Sequence, residues 1–198
     1  DALARLELLV EQGVDVIVID TAHGDTTSVI DTLKKIKKKK DIDVVVGNIS
    51  EPASAVRLYR AGADGIKVGQ GPGSICTTRP IAGVGCPQVT AVYNCAKVLR
   101  RVDVPINADG GLRYSGDIPI AIGAGAHSVM MGNMLAGTDE APGELVNFES
   151  RTWKSYRGMG SLGAMQESKA SRERYRHGDT GKNELVPEGV EGLVPYRG

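Results

Sequence analysis

Short runs rich in valine and isoleucine alternate along the chain with longer segments whose apolar residues recur at helical spacing. The runs Val14 to Asp20, Asp43 to Asn48, Gly65 to Gly69, Val104 to Ala108 and Ser128 to Met131 predict five strands. Helical patterns fall between and before them, at about Ala2 to Gln12, Thr27 to Lys38, Glu51 to Ala61, Gln88 to Arg101 and Asp117 to Ala124. Two helices end on the same device, Ala61-Gly62-Ala63-Asp64-Gly65 and Ala124-Gly125-Ala126-His127, in which glycine supplies the left-handed residue that stops a helix before the next strand.

The strands read as nearly continuous apolar runs, so burial on both faces is expected, as in a parallel sheet covered by helices. Both a barrel and a doubly wound sheet satisfy this. The stretch Gln70 to Pro87 far exceeds a βα loop of about 2–6 residues, and it follows a strand's carboxyl end, the edge where either architecture binds ligands. From Glu149 the strand–helix rhythm stops. A polar stretch, Gln166 to Asn183, is either a linker or a mobile lid, and its composition alone favours the linker.

With 198 residues, 41% of them hydrophobic and 24% charged, the chain suffices for one domain with a substantial core. Lysine plus arginine equals aspartate plus glutamate at 24 each, so no global field attracts nucleic acid or an anionic membrane. Any phosphate must be held by a local site. The charge run Lys34 to Lys40 ends an amphipathic helix, where cations complement the helix dipole and face solvent. No apolar run reaches the ~20 residues of a membrane span, and the first residues do not form a signal peptide, so a cytoplasmic protein is expected. Three cysteines without metal-ligand spacing argue against a disulfide framework or zinc site, and each is weighed as a thiol.

Cys76 stands out. It follows the turn-forming Gly69-Gln70-Gly71-Pro72-Gly73-Ser74 and precedes Thr77, Thr78 and Arg79, a cation that would favour thiolate beside hydroxyls that could position water. Cys95 lies in the apolar pattern of a helix and Cys86 near its start, and both read as packing residues. Asp109-Gly110-Gly111 and Met131-Gly132-Asn133 follow the last two strands directly, where barrels often hold phosphate. Asp20-Thr21-Ala22-His23-Gly24 and Gly47-Asn48 place further polar groups at strand ends, as βα-loop caps or a second ligand site. Nothing in the sequence joins His23 to Cys76.

Gly71-Pro72-Gly73-Ser74-Ile75-Cys76-Thr77-Thr78-Arg79 is followed in order by Ala82-Gly83-Val84-Gly85, Pro87-Gln88, Ala108-Asp109-Gly110-Gly111 and Tyr114-Ser115-Gly116-Asp117. Then come Leu135-Ala136-Gly137-Thr138, Glu140-Ala141-Pro142-Gly143-Glu144, Tyr156-Arg157-Gly158-Met159-Gly160-Ser161 and Val186-Pro187-Glu188-Gly189. This ordered series resembles the signature of the inosine monophosphate dehydrogenase family and spans nearly the whole chain. The resemblance implies a (β/α)8 TIM barrel, of which the chain aligns with about the last five βα units, the fourth to eighth strands. Residues 1–148 would form the partial catalytic barrel and 149–198 the active-site flap and associated C-terminal segment. The earlier strands, a regulatory domain inserted among them and a final helix have no counterpart, so a piece of a longer protein is expected.

The implied reaction oxidises inosine 5′-monophosphate (IMP) with NAD through a covalent intermediate on Cys76, which water then hydrolyses. Arg174 and Tyr175 match the flap pair of the family, Arg174 as water-activating base, with Thr78 orienting the water. Ser74, Gly111, Gly132, Asn133 and Tyr156 match phosphate contacts, Asp109 the ribose contact, and Met159, Gly160 and Glu188 contacts to the base. Asp20, Thr21, Asn48 and Gly69 lie where the family meets the dinucleotide, and the carbonyls of Gly71, Gly73 and Cys76 match a potassium (K+) site. A homotetramer is implied, with no nucleic-acid or membrane partner. Asn133 stands where many relatives carry serine, and Arg176-His177-Gly178 lacks the Phe that commonly follows the flap pair. Guanosine monophosphate reductase shares the fold and cysteine loop and is the nearest alternative; a non-catalytic nucleotide-binding module is the other.

Overall fold

The computed structural model describes residues 2–178, 181 and 184–198. The five expected strands form at β1 (Val16–Asp20), β2 (Asp43–Ile49), β3 (Gly65–Val68), β4 (Ile106–Asp109) and β5 (Ser128–Met130). They pair in parallel in the unbroken order β1-β2-β3-β4-β5. A doubly wound sheet reverses its strand order at a switch point; this one does not.

Helices α1 (Ala2–Glu11), α2 (Thr27–Lys39), α3 (Pro52–Arg60), α5 (Gln88–Leu99) and α6 (Asp117–Gly123) follow the predicted patterns, and a short α4 (Thr78–Ala82) lies inside the long loop. The α2 helix starts where the Thr26 hydroxyl accepts the Val29 amide, and it buries Val29, Leu33 and Ile36. Its lysine run is less solvated than expected, because Lys37 pairs with Asp64 at 2.8 Å and Lys40 with Glu7 at 2.9 Å. Both predicted helix stops form: Gly62 and Gly125 take φ of +103° and +113°, and the Ala63 and Ala126 amides close back on Leu58 and Ala121 at 3.1 Å.

The core is one-sided. Val44, Val46, Ile66, Val68, Ile106 and Ala108 point into the helix layer and are essentially inaccessible. Strands β2 and β3 are largely buried on both faces as expected, but β1 and β5 are not. Val16, Val18 and Met130 are 45%, 49% and 43% exposed, because these strands are the sheet's edges and the face opposite the helices is open there. No described helix is long and apolar enough to cross a membrane.

Beyond β5 the chain builds what its hydrophobic pattern did not announce, a three-stranded antiparallel sheet in the order β6-β7-β8. It joins β6 (Leu145–Phe148), β7 (Arg151–Arg157) and β8 (Glu191–Pro195). The β6–β7 hairpin turns on Glu149 and Ser150, at φ of 50° and 58°, so the division expected after residue 148 falls inside one hairpin. Between β7 and β8 lie α7 (Leu162–Glu167), which ends just inside the polar stretch, and α8 (Lys169–Arg174) within it, started by the Ser161 and Ser168 hydroxyls. Asp179, Thr180, Lys182 and Asn183 of that stretch lie outside the described residues.

A one-sided core makes contrasting demands on stability. Ile66→Ala, in the central strand, should lower the unfolding free energy by about 2–5 kcal/mol in urea titration, whereas Val16→Ala on the open face should change it by about 0.5 kcal/mol or less.

Candidate active site

The carboxyl ends of β1 to β4 place Asp20, Asn48, Gly69 and Asp109 along one edge of the sheet. At their centre is Lys67 of β3, which sequence reasoning did not single out. Its side chain is 2% exposed, and its Nζ lies 2.6 Å from Asp109 Oδ2, 3.1 Å from Asp20 Oδ1 and 3.3 Å from Met130 Sδ. A buried ammonium is tolerated only with such pairing. The signal was present in the sequence as a lysine inside the apolar run Gly65-Ile66-Lys67-Val68.

Asn48 fixes the same carboxylate from the neighbouring strand, donating through Nδ2 to Asp109 Oδ2 at 2.7 Å and to the Gly69 carbonyl at 2.8 Å. Its Oδ1 is buried without a partner among the described residues, an acceptor available to a ligand. Gln88, also unassigned from sequence, bridges two strand ends by donating to the carbonyls of Val68 at 2.8 Å and Asp109 at 3.3 Å.

The cysteine loop packs against this edge through glycine. Gly110 and Gly111 sit at φ of +83° and +81°, and a Cβ on either would lie 3.1–3.3 Å from the Pro72 side chain. Cys76, half-buried, heads a chain of donors: its thiol donates to Thr78 Oγ1 at 3.2 Å, and Thr78 donates to Glu188 Oε2 at 2.7 Å. Main-chain bonds from Thr77 to Glu188 and from Val190 to Ile75, both 2.9 Å, hold the Pro187-Glu188-Gly189 segment against the loop. Sequence spacing could not foresee this juxtaposition of residues 110 apart.

Arg79 does not serve the thiol as expected. Its guanidinium donates to the carbonyls of Cys86 at 2.5 Å and Gln70 at 3.4 Å, bracing the loop from outside. His23 also stays away from Cys76, its Nδ1 3.2 Å from Gln70 Nε2. The core position of Cys95 is as expected from its pattern, and burial pushes its thiol up to about 12.

Arg174 and Tyr175, expected as a flap pair, lie over the strand ends. Arg174, at the end of α8, forms an ion pair with Asp20, its carbonyl accepts the Ala22 amide at 3.2 Å, and its guanidinium carbon is 5.9 Å from the Tyr175 ring centre. Burial works to lower the Arg174 pKa, but the Asp20 charge and the contact with Tyr175 outweigh it and the net shift is upward. Burial raises the Tyr175 pKa, outweighing the neighbouring Arg174 charge. The Tyr175 ring rests on Gly160, where a Cβ would come within 2.7 Å of it.

Cys76, Asn48, Asp109, Arg174 and Tyr175 line one cavity of about 130 Å³. That is below the roughly 300 Å³ of an ordinary small-molecule site, and Arg174 and Tyr175 are among the residues that narrow it. On the far side of Arg174 a polar cavity of about 560 Å³ is lined by Thr21, His23, Thr26, Ser28 and Arg176. A third, of about 950 Å³, holds Gly132 beside Tyr156, whose phenol oxygen is 2.5 Å from the position of a Cβ on that glycine; burial raises the Tyr156 pKa. Ser74, Gly111 and Met159 are exposed and line none of these three cavities, Asn133 is half-buried next to Gly132, and Gly160 is buried under Tyr175. Of the three carbonyls expected to meet potassium, that of Gly73 already accepts the Cys76 amide at 3.1 Å, leaving it one lone pair for a cation.

A family model described as IMP dehydrogenase / GMP reductase domain matches residues 1–198. Inosine-5′-monophosphate dehydrogenase of Helicobacter pylori (strain ATCC 700392 / 26695) is 54% identical over 196 residues, covering 99% of this chain and 40% of the relative. The enzymes of the same name from Aquifex aeolicus and Cryptosporidium parvum are 55% and 54% identical, covering 100% and 99% of this chain and 40% and 48% of their own lengths. The chain thus spans about two-fifths of the length of the first of these relatives.

Two measurements check the site. Iodoacetamide at neutral pH should label Cys76 and leave Cys95 untouched until the protein unfolds, as read by peptide mass spectrometry. Gly160→Ala should displace Tyr175 and speed tryptic cleavage after Arg174 or Arg176 about ten-fold; an unchanged rate would mean the ring does not anchor this segment.

Proposed function

The chain belongs to the IMP dehydrogenase / GMP reductase family, and on that premise we propose that it is part of a TIM-barrel enzyme that oxidises inosine 5′-monophosphate to xanthosine 5′-monophosphate with NAD+. The unreversed order of the five parallel strands supports the barrel, as its fourth to eighth strands. The observation that carries the reaction is the donor chain from Cys76 through Thr78 to Glu188, set beside Asp109 and under the flap pair.

The thiol proton leaves along this chain toward the Glu188 carboxylate, and the sulfur adds to C2 of the hypoxanthine ring. Hydride is then lost from C2, leaving a thioimidate on Cys76. A bound nicotinamide dinucleotide supplies the hydride acceptor. Asp20, Thr21, Asn48 and Gly69 suit such a group, because the unused Asn48 Oδ1 accepts an amide proton and the polar cavity beyond Arg174 offers room for the rest. Asp109 accepts from the ribose, held ready by Lys67 and Asn48. Ser74, Gly111, Gly132, Asn133 and Tyr156 take the phosphate, and Met159, Gly160 and Glu188 border the base.

Hydrolysis needs water at C2 and a group to take its proton. In the observed arrangement Arg174 is held as a cation by Asp20, so its role as base requires that the guanidinium leave that carboxylate. Thr78 stands 3.2 Å from the sulfur and can orient the water, whose proton goes to Arg174 once that guanidinium has given up its own to solvent, while Glu188 keeps the thiol proton and returns it to the sulfur on release. Release of the thiolate completes the cycle, with water the source of the new oxygen. Potassium on the carbonyls of Gly71, Gly73 and Cys76, and a homotetrameric assembly, complete the proposal.

The Arg174–Tyr175 pair over Asp20 favours the dehydrogenase over a guanosine monophosphate reductase. NADH should form from inosine monophosphate and NAD+, and Cys76→Ala should cut the rate roughly a thousand-fold or more. Oxidation of NADPH with guanosine monophosphate, and no NADH in the first assay, would overturn the assignment.

A further inference from the structure

Two cations and two carboxylates share the strand ends. Asp20 is divided between Arg174 and Lys67, and Lys67 is divided between Asp20 and Asp109. The division is unequal: with Arg174 on Asp20, the Lys67 ammonium lies nearer Asp109, at 2.6 Å against 3.1 Å. Lys67 and Asn48 then both occupy the same oxygen of Asp109.

From this we infer that Lys67 is a positioning residue that couples nucleotide binding at Asp109 to the hold of Asp20 on the flap. The inference rests on the proposed nucleotide site. When Arg174 leaves Asp20, that carboxylate keeps Lys67 as its sole fixed cation among the described partners and draws the ammonium toward β1. Asp109 loses a donor and becomes a better acceptor for a ribose hydroxyl. The effect is reciprocal, because a coupling free energy acts equally on both sites: a hydroxyl on Asp109 releases Lys67 toward Asp20, where it competes with Arg174 and loosens the flap. No contact between nucleotide and flap is required, since Lys67 is 2% exposed and spans both carboxylates by itself.

The test is a mutant cycle read by calorimetric titration with inosine monophosphate alone, without dinucleotide. Arg174→Gln should tighten nucleotide binding about five-fold in the parent protein. The same substitution should have no effect when Lys67 is replaced by methionine, and should regain it with Lys67→Arg, which keeps the charge. Equal effects of Arg174→Gln with and without the Lys67 charge would overturn the inference. So would unchanged or weakened binding in Arg174→Gln alone, a result that stands even if Lys67→Met does not fold. Failure of the parent protein to bind inosine monophosphate would be seen before any substitution, and would overturn the proposed function together with this coupling.

Discussion

One ammonium group, buried on the third strand, sets the geometry of everything at the sheet's working edge. Moving a lysine out of water costs several kcal/mol unless its charge is met, and Lys67 meets Asp109 on one side and Asp20 on the other. Three separate strands are thereby brought to a common point. Either aspartate alone at a strand end would be a solvated carboxylate free to rotate. Held by Lys67, and in the case of Asp109 also by Asn48, each presents a fixed acceptor to whatever lies above it.

The cysteine loop depends on that edge for its position. Pro72 fits over Gly110 and Gly111 because those residues have no side chain, so the loop after β3 lies against the loop after β4. The far end of the chain then closes over it, with Glu188 bonded to Thr78 and the 188–190 backbone laid along Ile75 and Thr77. A thiol and a hydroxyl of the loop and a carboxylate from far along the chain thus stand in series. Arg174 and Tyr175 lie across the same opening with the Arg174 charge on Asp20, and a cavity of about 130 Å³ lies beneath them.

The parallel sheet was legible because each βα unit carries its own pattern: an apolar run, a 3.6-residue periodicity and a glycine stop such as Gly62 or Gly125. Strand-end placement of Asp20, Asn48, Cys76 and Asp109 followed from that rhythm alone. The antiparallel sheet was not legible, because β7 alternates threonine, tryptophan, lysine and serine without an apolar face, and its partner β8 is far along the chain. Burial on both faces was overestimated for β1, since valine and isoleucine mark a strand without saying whether a second layer covers it. Arg79 misled for a related reason: nearness in sequence to Cys76 says nothing of where a long side chain turns, and it turns to the Cys86 carbonyl. Lys67 was passed over because one lysine in an apolar run reads as an interruption until its two carboxylates are seen.

The central claim is that Cys76 is the nucleophile toward C2 of a bound purine nucleotide. A purine nucleotide carrying a halogen leaving group on its six-membered ring tests it most directly, because displacement of halide by the thiolate leaves a stable thioether. Intact-mass and peptide mass spectrometry should find one adduct per chain, on Cys76, suppressed by excess inosine monophosphate and lost in Cys76→Ala. A folded protein that forms no adduct, or one that carries it on Cys86, would contradict the account.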